Sequence, residues 1–167
     1  DNTIFVMFGD HNTRIAQIPF LAPAYEQLGL ESNAVPMIIH APGMIGTRKV
    51  EEAVGLVDLL PTVAGMAGLE FRNGGMGRDI QQPAPEGERV VPLVLREGTF
   101  PLIAGVTQHY MVQMEHDGSS PSLHDLASPT PLDNVAEQNP EEFKRLSQLT
   151  RAMHETSRLM LYQNVRK

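Results

Sequence analysis
Residues 3–12 read TIFVMFGDHN, and the fold turns on this stretch. Ile4, Phe5, Val6, Met7 and Phe8 form an apolar run with no polar residue interleaved. An alternating strand keeps one face in water, whereas a continuous run suits a strand covered on both faces, as in the parallel sheets of α/β proteins. Gly9 then supplies a turn, and Asp10, His11 and Asn12 fall at the carboxyl end of the strand. Open α/β sheets hold their ligands at such ends. A second apolar run, VPMIIHAPG (35–43), reads as another strand, stopped by Pro42-Gly43.

Neighbouring side chains on a strand point to opposite faces, so Asp10 and His11 can share one divalent cation only if the backbone turns between them. Gly9 before the pair and Asn12 after it allow that turn. Mixed oxygen and nitrogen donors suit manganese or zinc better than calcium, which prefers oxygen alone. The plain alternative is a capped turn with a solvated histidine. Two protein ligands hold a metal poorly, because catalytic sites use three or more.

Working outward, FLAPAYEQLGL (20–30) reads as a short helix interrupted by Pro23 and ending near Gly29. In EEAVGLVDLLPTVAGMAGL (51–69) the second half is helical: Asp58 is placed to cap it, Pro61 fits only the first turn, and Gly68 supplies the stop. The Gly- and Pro-rich segment 71–88 reads as an irregular surface loop. Gly74, Gly75 and Gly77 do not make a phosphate loop, since neither a preceding strand nor a following Lys-Ser/Thr is present.

From residue 89 the pattern changes to short extended segments separated by Gly-containing turns, which predicts an antiparallel meander. Residues 138–164 are the clearest helix. Asn139 is placed to cap it, Pro140 fits the first position, Glu142 completes a capping box, and Phe143, Leu146, Leu149, Met153 and Met160 make one face apolar. The expected organisation is therefore an α/β part with parallel strands over about 1–88. A small antiparallel sheet with a long terminal helix follows over about 89–167. His40, inside an apolar run, reads as a hydrogen-bonded core histidine; His109, His116 and His124 read as structural or exposed.

The 167 residues suit one domain, and 41% hydrophobic content supplies a core. Thirteen basic against twenty acidic residues give a formal charge of −7 without a basic block, which disfavours nucleic acid or an anionic membrane as a direct partner. With no cysteine, thiolate metal sites and cysteine nucleophiles are excluded within these residues. No apolar run approaches the ~18 residues of a membrane span, and no signal peptide is seen. Without an initiator Met, and with a strand starting almost at once, the chain is expected to be a piece of a longer polypeptide.

Four stretches, taken in order, resemble the alkaline phosphatase/sulfatase superfamily and, within it, the lipoteichoic acid synthase-like phosphoglycerol transferases. TIFVMFGDHN is similar to the strand ending in the family's Asp-His metal pair, and VPMIIHAPGM to the strand after it. VGLVDLLPTVAGMAGL is similar to the Asp-x-x-Pro-Thr helix. SLHDLASPTPLDNVAEQNPEE is similar to a Leu-Tyr-Asp-Leu segment, with His124 in place of the tyrosine. LREGTF and TSRLMLYQN tilt the likeness toward the synthase-like branch.

The resemblance implies the C-terminal portion of an alkaline phosphatase-like fold. It also implies a metal-dependent transfer of a phosphoryl-type group through a covalent intermediate, in which Asp10 and His11 are two ligands of manganese or zinc in the complete domain. It places the nucleophile and a further acidic ligand before residue 1, so no catalytic nucleophile is assigned here. The chain alone is expected to be inactive and to bind metal weakly or not at all. Arg14 and Asn12 are candidate substrate contacts, their alternatives being a solvated ion pair and a turn-holding role. The implied substrate is an anionic phosphoglycerol lipid, or a sulfate or phosphate ester if the parent is a sulfatase or phosphodiesterase-like hydrolase. The implied location is extracytoplasmic, with a membrane-anchored parent. A non-catalytic module of the same fold is the competing account, and self-association through an exposed edge is expected of either.

Overall fold
The two apolar runs form β1 (Phe5–Phe8) and β2 (Met37–His40). In this computed structural model residues 3–12, 21–83, 89–96 and 101–165 are described. The chain divides into two compact units, residues 1–51 with 56–83, and residues 52–55 with 84–167.

In the first unit β1 and β2 pair antiparallel, with Phe5 opposite His40 and Phe8 opposite Met37. This corrects the parallel arrangement expected for the first part of the chain. A continuous apolar run reports burial, not strand direction. Direction follows from the connection, and here β2 begins beside the point where β1 stops: the Gly9 N–H donates to Pro36 O at 3.2 Å. Among the described residues every strand pairing is antiparallel.

Cross-strand partners share a face, so Phe5, Met7, Ile38 and His40 lie together, and this face is open. Phe5 is 54%, Met7 52% and Ile38 56% exposed. His40 is exposed too, its ring tilted against Phe5 at 6.1 Å rather than hydrogen-bonded in a core as expected.

Between the strands, α1 (Pro23–Gln27) starts at Pro23 instead of being interrupted by it, because proline's fixed φ and missing N–H suit the first helical position. Gly29, at φ 71°, ends the turn, and the Leu30 N–H reaches back to Tyr25 O at 2.7 Å. After a 3-10 turn at Leu56–Asp58 comes α2 (Leu59–Met66), with Pro61 in its first turn. Gly68, at φ 66°, closes it by the same device, Leu69 N–H bonding to Ala64 O.

Asp58 does not cap α2. Its own backbone is already helical, and its carboxylate instead accepts the Arg78 N–H at 2.7 Å. Thr62 Oγ1 donates to Asp58 O at 2.6 Å and accepts the Ile80 N–H at 3.1 Å. Both side chains are buried. Together they bind the segment 77–80 to the helix start, so this part of the expected surface loop is ordered against α2. A Cβ on Gly77 would overlap the Val57 carbonyl, which is why the segment passes there at a glycine.

The second unit is a four-stranded meander, β3 (Val91–Arg96), β4 (Leu102–Val106), β5 (Tyr110–Glu115) and β6 (Ser122–Asp125), in that spatial order. A bulge between Val94 and Arg96 shifts the β3 register. The helix α3 (Pro140–Val165) packs on this sheet. Val90, Ile103, Val112, Met114, Leu123 and Leu146 form the core, flanked by Tyr110, Phe143 and Met153. Gly105 lets α3 come close, since a Cβ there would meet Thr150 Oγ1.

Asn139 precedes α3, and its side chain bonds to Tyr110 Oη and Val135 O. Glu142 forks forward onto Arg145 at 2.8 and 2.6 Å instead of reaching back as a capping box. The Arg145 hydrogen bonds hold the Glu142 carboxyl below its ordinary range. His124, on β6, is buried, its Nε2 facing Ser122 Oγ at 2.8 Å and Gln113 Nε2 at 3.2 Å, its Nδ1 facing Pro131 O at 3.0 Å. Burial pushes its pKa down, against the opposing pull of the Pro131 and Asp133 backbone.

Candidate metal-binding turn
The Gly9–Asn12 turn follows β1 because the strand's apolar run ends at a glycine. It passes close to the segment before the next strand: a Cβ on Gly9 would lie 3.1 Å from Val35 Cβ, a tight contact. Beyond Gly9 the chain turns, and the two candidate ligands converge. Asp10 Oδ1 accepts the His11 N–H at 2.9 Å, and Asp10 Oδ2 lies 3.8 Å from His11 Nε2. The side chains are 85% and 78% exposed.

The imidazole's other nitrogen decides what this pair can do. His11 Nδ1 lies 3.3 Å from Asn12 O. A carbonyl only accepts, so in the neutral ring this contact places the proton on Nδ1 and leaves the lone pair on Nε2. Nε2 and Asp10 Oδ2 are then two electron-pair donors facing one another, an arrangement that a cation between them relieves. Two ligands about 2.1 Å from a single ion stand about 3–3.5 Å apart. The observed separation of 3.8 Å is a little wider than that. The donor chemistry therefore fits a divalent ion, in part: among the described residues no group of three or more His, Asp or Glu converges on a metal position.

Asn12 is tied to the segment that leads into β2. Its Nδ2 donates to Ala34 O at 2.9 Å and its backbone N–H to Ser32 O at 2.8 Å. Arg14 lies outside the described residues, as does Thr13. Asp58 and Thr62 belong to the α2 clamp. Ser32, Ala34 and Pro36 were not singled out from the sequence. They act through backbone carbonyls, which carry no residue-type signal, and the amide of Asn12 was the only hint of them.

Residues 1–69, which include the turn and the Asp58–Thr62 helix start, match the family model described as Sulfatase. That is the stretch that holds Asp10 and His11. No curated protein matches the chain. Among solved structures, the 2-O GAG sulfatase BT1596 is similar over 96% of this chain and 38% of its own, at 19% identity and a TM-score of 0.61. A protein of Bacteroides thetaiotaomicron VPI-5482 assigned as a sulfatase is similar over the same shares, at 18% identity and a TM-score of 0.55. BT4656, solved with its substrate D-glucosamine-2-N,6-O-disulfate, is similar over 75% of this chain and 29% of its own, at 20% identity and a TM-score of 0.51. At these identities the likeness is one of fold: an α/β chain with a small antiparallel sheet and a long C-terminal helix, as in sulfatase structures. The chain spans less than two fifths of the length of the first two structures it matches.

Proposed function
We propose that this chain is part of a metal-dependent enzyme that cleaves or transfers a sulfate- or phosphate-type ester, with a sulfatase-type hydrolase as the leading reading. The observation that carries it is the converged Asp10–His11 pair, 3.8 Å apart at the end of β1, within the 69 residues matched by the Sulfatase family model. Asp10 and His11 would be two ligands of one divalent ion, manganese or zinc by the mixed donor set. Such an ion, when bound, lowers the pKa of a nucleophilic hydroxyl and neutralises charge on the ester oxygens. The residues of this chain do the holding: Asp10 brings the formal negative charge, and the Asn12 carbonyl at Nδ1 orients the His11 ring with Nε2 on the Asp10 side. Arg14, four residues beyond Asp10, is proposed as a cationic contact for the anionic ester.

A sulfated sugar is the leading substrate class, because one structural neighbour was solved with such a substrate. Phosphoglycerol transfer from an anionic lipid, on the outer side of a membrane, is the second reading. The segments LREGTF and TSRLMLYQN favour it. No described helix is long and apolar enough to cross a membrane.

The test is an assay of the natural full-length polypeptide on sulfated monosaccharides and on glycerophosphate diesters, with manganese, zinc or calcium added after chelation. Sulfate release that falls by about 100-fold or more in Asp10→Ala and in His11→Ala supports the leading reading. Activity on the diesters alone favours the transferase. Full activity in both variants overturns the site.

A further inference from the structure
The Asp10–His11 turn is bracketed by one backbone segment, residues 32–36. Gly9 N–H bonds to Pro36 O at 3.2 Å before the pair, and Asn12 N–H bonds to Ser32 O at 2.8 Å after it. Between these, the Asn12 side chain adds a third bond, Nδ2–H to Ala34 O at 2.9 Å. Among the described residues, Asp10 and His11 are exposed and contact each other and the Asn12 carbonyl. Among the described residues, no other side chain at the tip of the turn bonds to them. The described anchorage lies on either side of them, at Gly9 before the pair and at Asn12 after it.

We propose that Asn12 is a positioning residue for the Asp10–His11 pair. This rests on the reading of that pair as metal ligands. By fixing its own backbone against residues 32–34, Asn12 sets the carbonyl that orients His11 Nδ1, and so aims Nε2 toward Asp10. An arriving cation then meets donors that are already turned together, and less ordering is left to oppose binding. The role needs a short side chain carrying an N–H donor. Aspartate has the same shape but presents an oxygen to the Ala34 carbonyl, which repels it.

That substitution separates positioning from direct participation. If Asn12 acted as a ligand or through charge, Asn12→Asp would strengthen cation binding, because it adds a carboxylate beside the pair. If Asn12 positions, the same variant weakens it. The measurement is a manganese titration of the isotope-labelled 167-residue chain, following paramagnetic broadening of the His11 ring and of the amides of residues 9–12. The expected result is broadening centred on His11 in the wild type and its loss in Asp10→Ala and His11→Ala. In both Asn12→Ala and Asn12→Asp it should require about 10-fold more manganese, the usual scale for losing an outer-sphere partner. Equal or tighter binding in Asn12→Asp overturns the proposal and leaves the metal pair standing. Broadening that ignores Asp10→Ala and His11→Ala overturns the metal pair instead. A metal-free readout then still decides Asn12: nuclear Overhauser contacts between the His11 ring and Asp10 are expected in the wild type and lost in Asn12→Ala. Their survival in that variant, with unchanged melting, overturns the positioning role.

Discussion

Three polar neighbours surround the His124 ring: Ser122 Oγ and Gln113 Nε2 at its Nε2, and the Pro131 carbonyl at its Nδ1. With Nδ1 donating, Nε2 accepts from both side chains, so the native state is built around the neutral ring. Burial lowers its pKa from the usual 6.5. In the unfolded chain the ring takes a proton near that usual value, while the folded ring resists until a lower pH. The stability due to the neutral ring is therefore complete above about pH 6.5 and is lost as the pH falls through the folded value. Urea unfolding at pH 7.5, 6.5 and 5.5 should show this decline, with a shallower one in His124→Gln. Parallel declines in the two proteins would remove His124 as the cause. At Asp58 the expected loss is steric and polar instead. Asp58→Ala strands the Arg78 N–H and should cost about 1–3 kcal/mol by urea unfolding, whereas Asp58→Asn keeps an acceptor and should cost less. The sequence made Asp58 legible as a helix-start residue, because its type and place before a helical pattern are local facts. Its true partner lies twenty residues on, and nothing local names it. The same limit governs the turn: Asp10 and His11 stand out by chemistry, while the carbonyls at 32–36 that shape their turn do not.

For an element, periodicity is what a sequence shows best, and α3 illustrates where it stops. The three- and four-residue spacing of Phe143, Leu146 and Met153 marks the face that meets the sheet, and these residues do pack there. Leu149 belongs to the same stripe, yet it is 37% exposed while Thr150 is buried. The stripe is wide enough to roll, and its seating is settled by the sheet: Gly105 leaves a space that Thr150 enters. Leu146→Ala should accordingly cost about 2–5 kcal/mol, as for other fully buried leucines. Leu149→Ala should cost about 1 kcal/mol or less, close to an exposed substitution. Equal losses in thermal or urea unfolding would contradict the seating described. The Glu142–Arg145 fork adds little to either, because a half-exposed ion pair between neighbours on a helix contributes about 1 kcal/mol. What it contributes is present above the carboxyl's usual pKa and fades as acid protonates it, since its folded pKa is lowered.

Across the whole molecule the least expected feature is the open side of the β1–β2 ribbon. The sequence showed an unbroken apolar run and so predicted cover on both faces. Phe5, Met7 and Ile38 instead lie about half exposed on one side, and Phe8 is 48% exposed at the end of β1. Periodicity cannot reveal this, because the run is as apolar on its open face as on its other one. Two opposing terms act on such a surface in solution. Apolar area favours association of chains, and a formal charge of −7 opposes it through mutual repulsion. Salt separates the two, since the screening length drops from about 8 Å at 0.15 M to about 3 Å at 1 M. Sedimentation of the 167-residue chain should therefore show concentration-dependent association that strengthens with salt. The double substitution Met7→Lys with Ile38→Lys, on partners in register across the ribbon, should hold it monomeric under both conditions. Two lysines reduce the net negative charge, so a drop in association cannot come from added repulsion of the whole chain and must come from the lost apolar face. A wild-type chain that stays monomeric at high salt would show that this face is too small to bring two copies together.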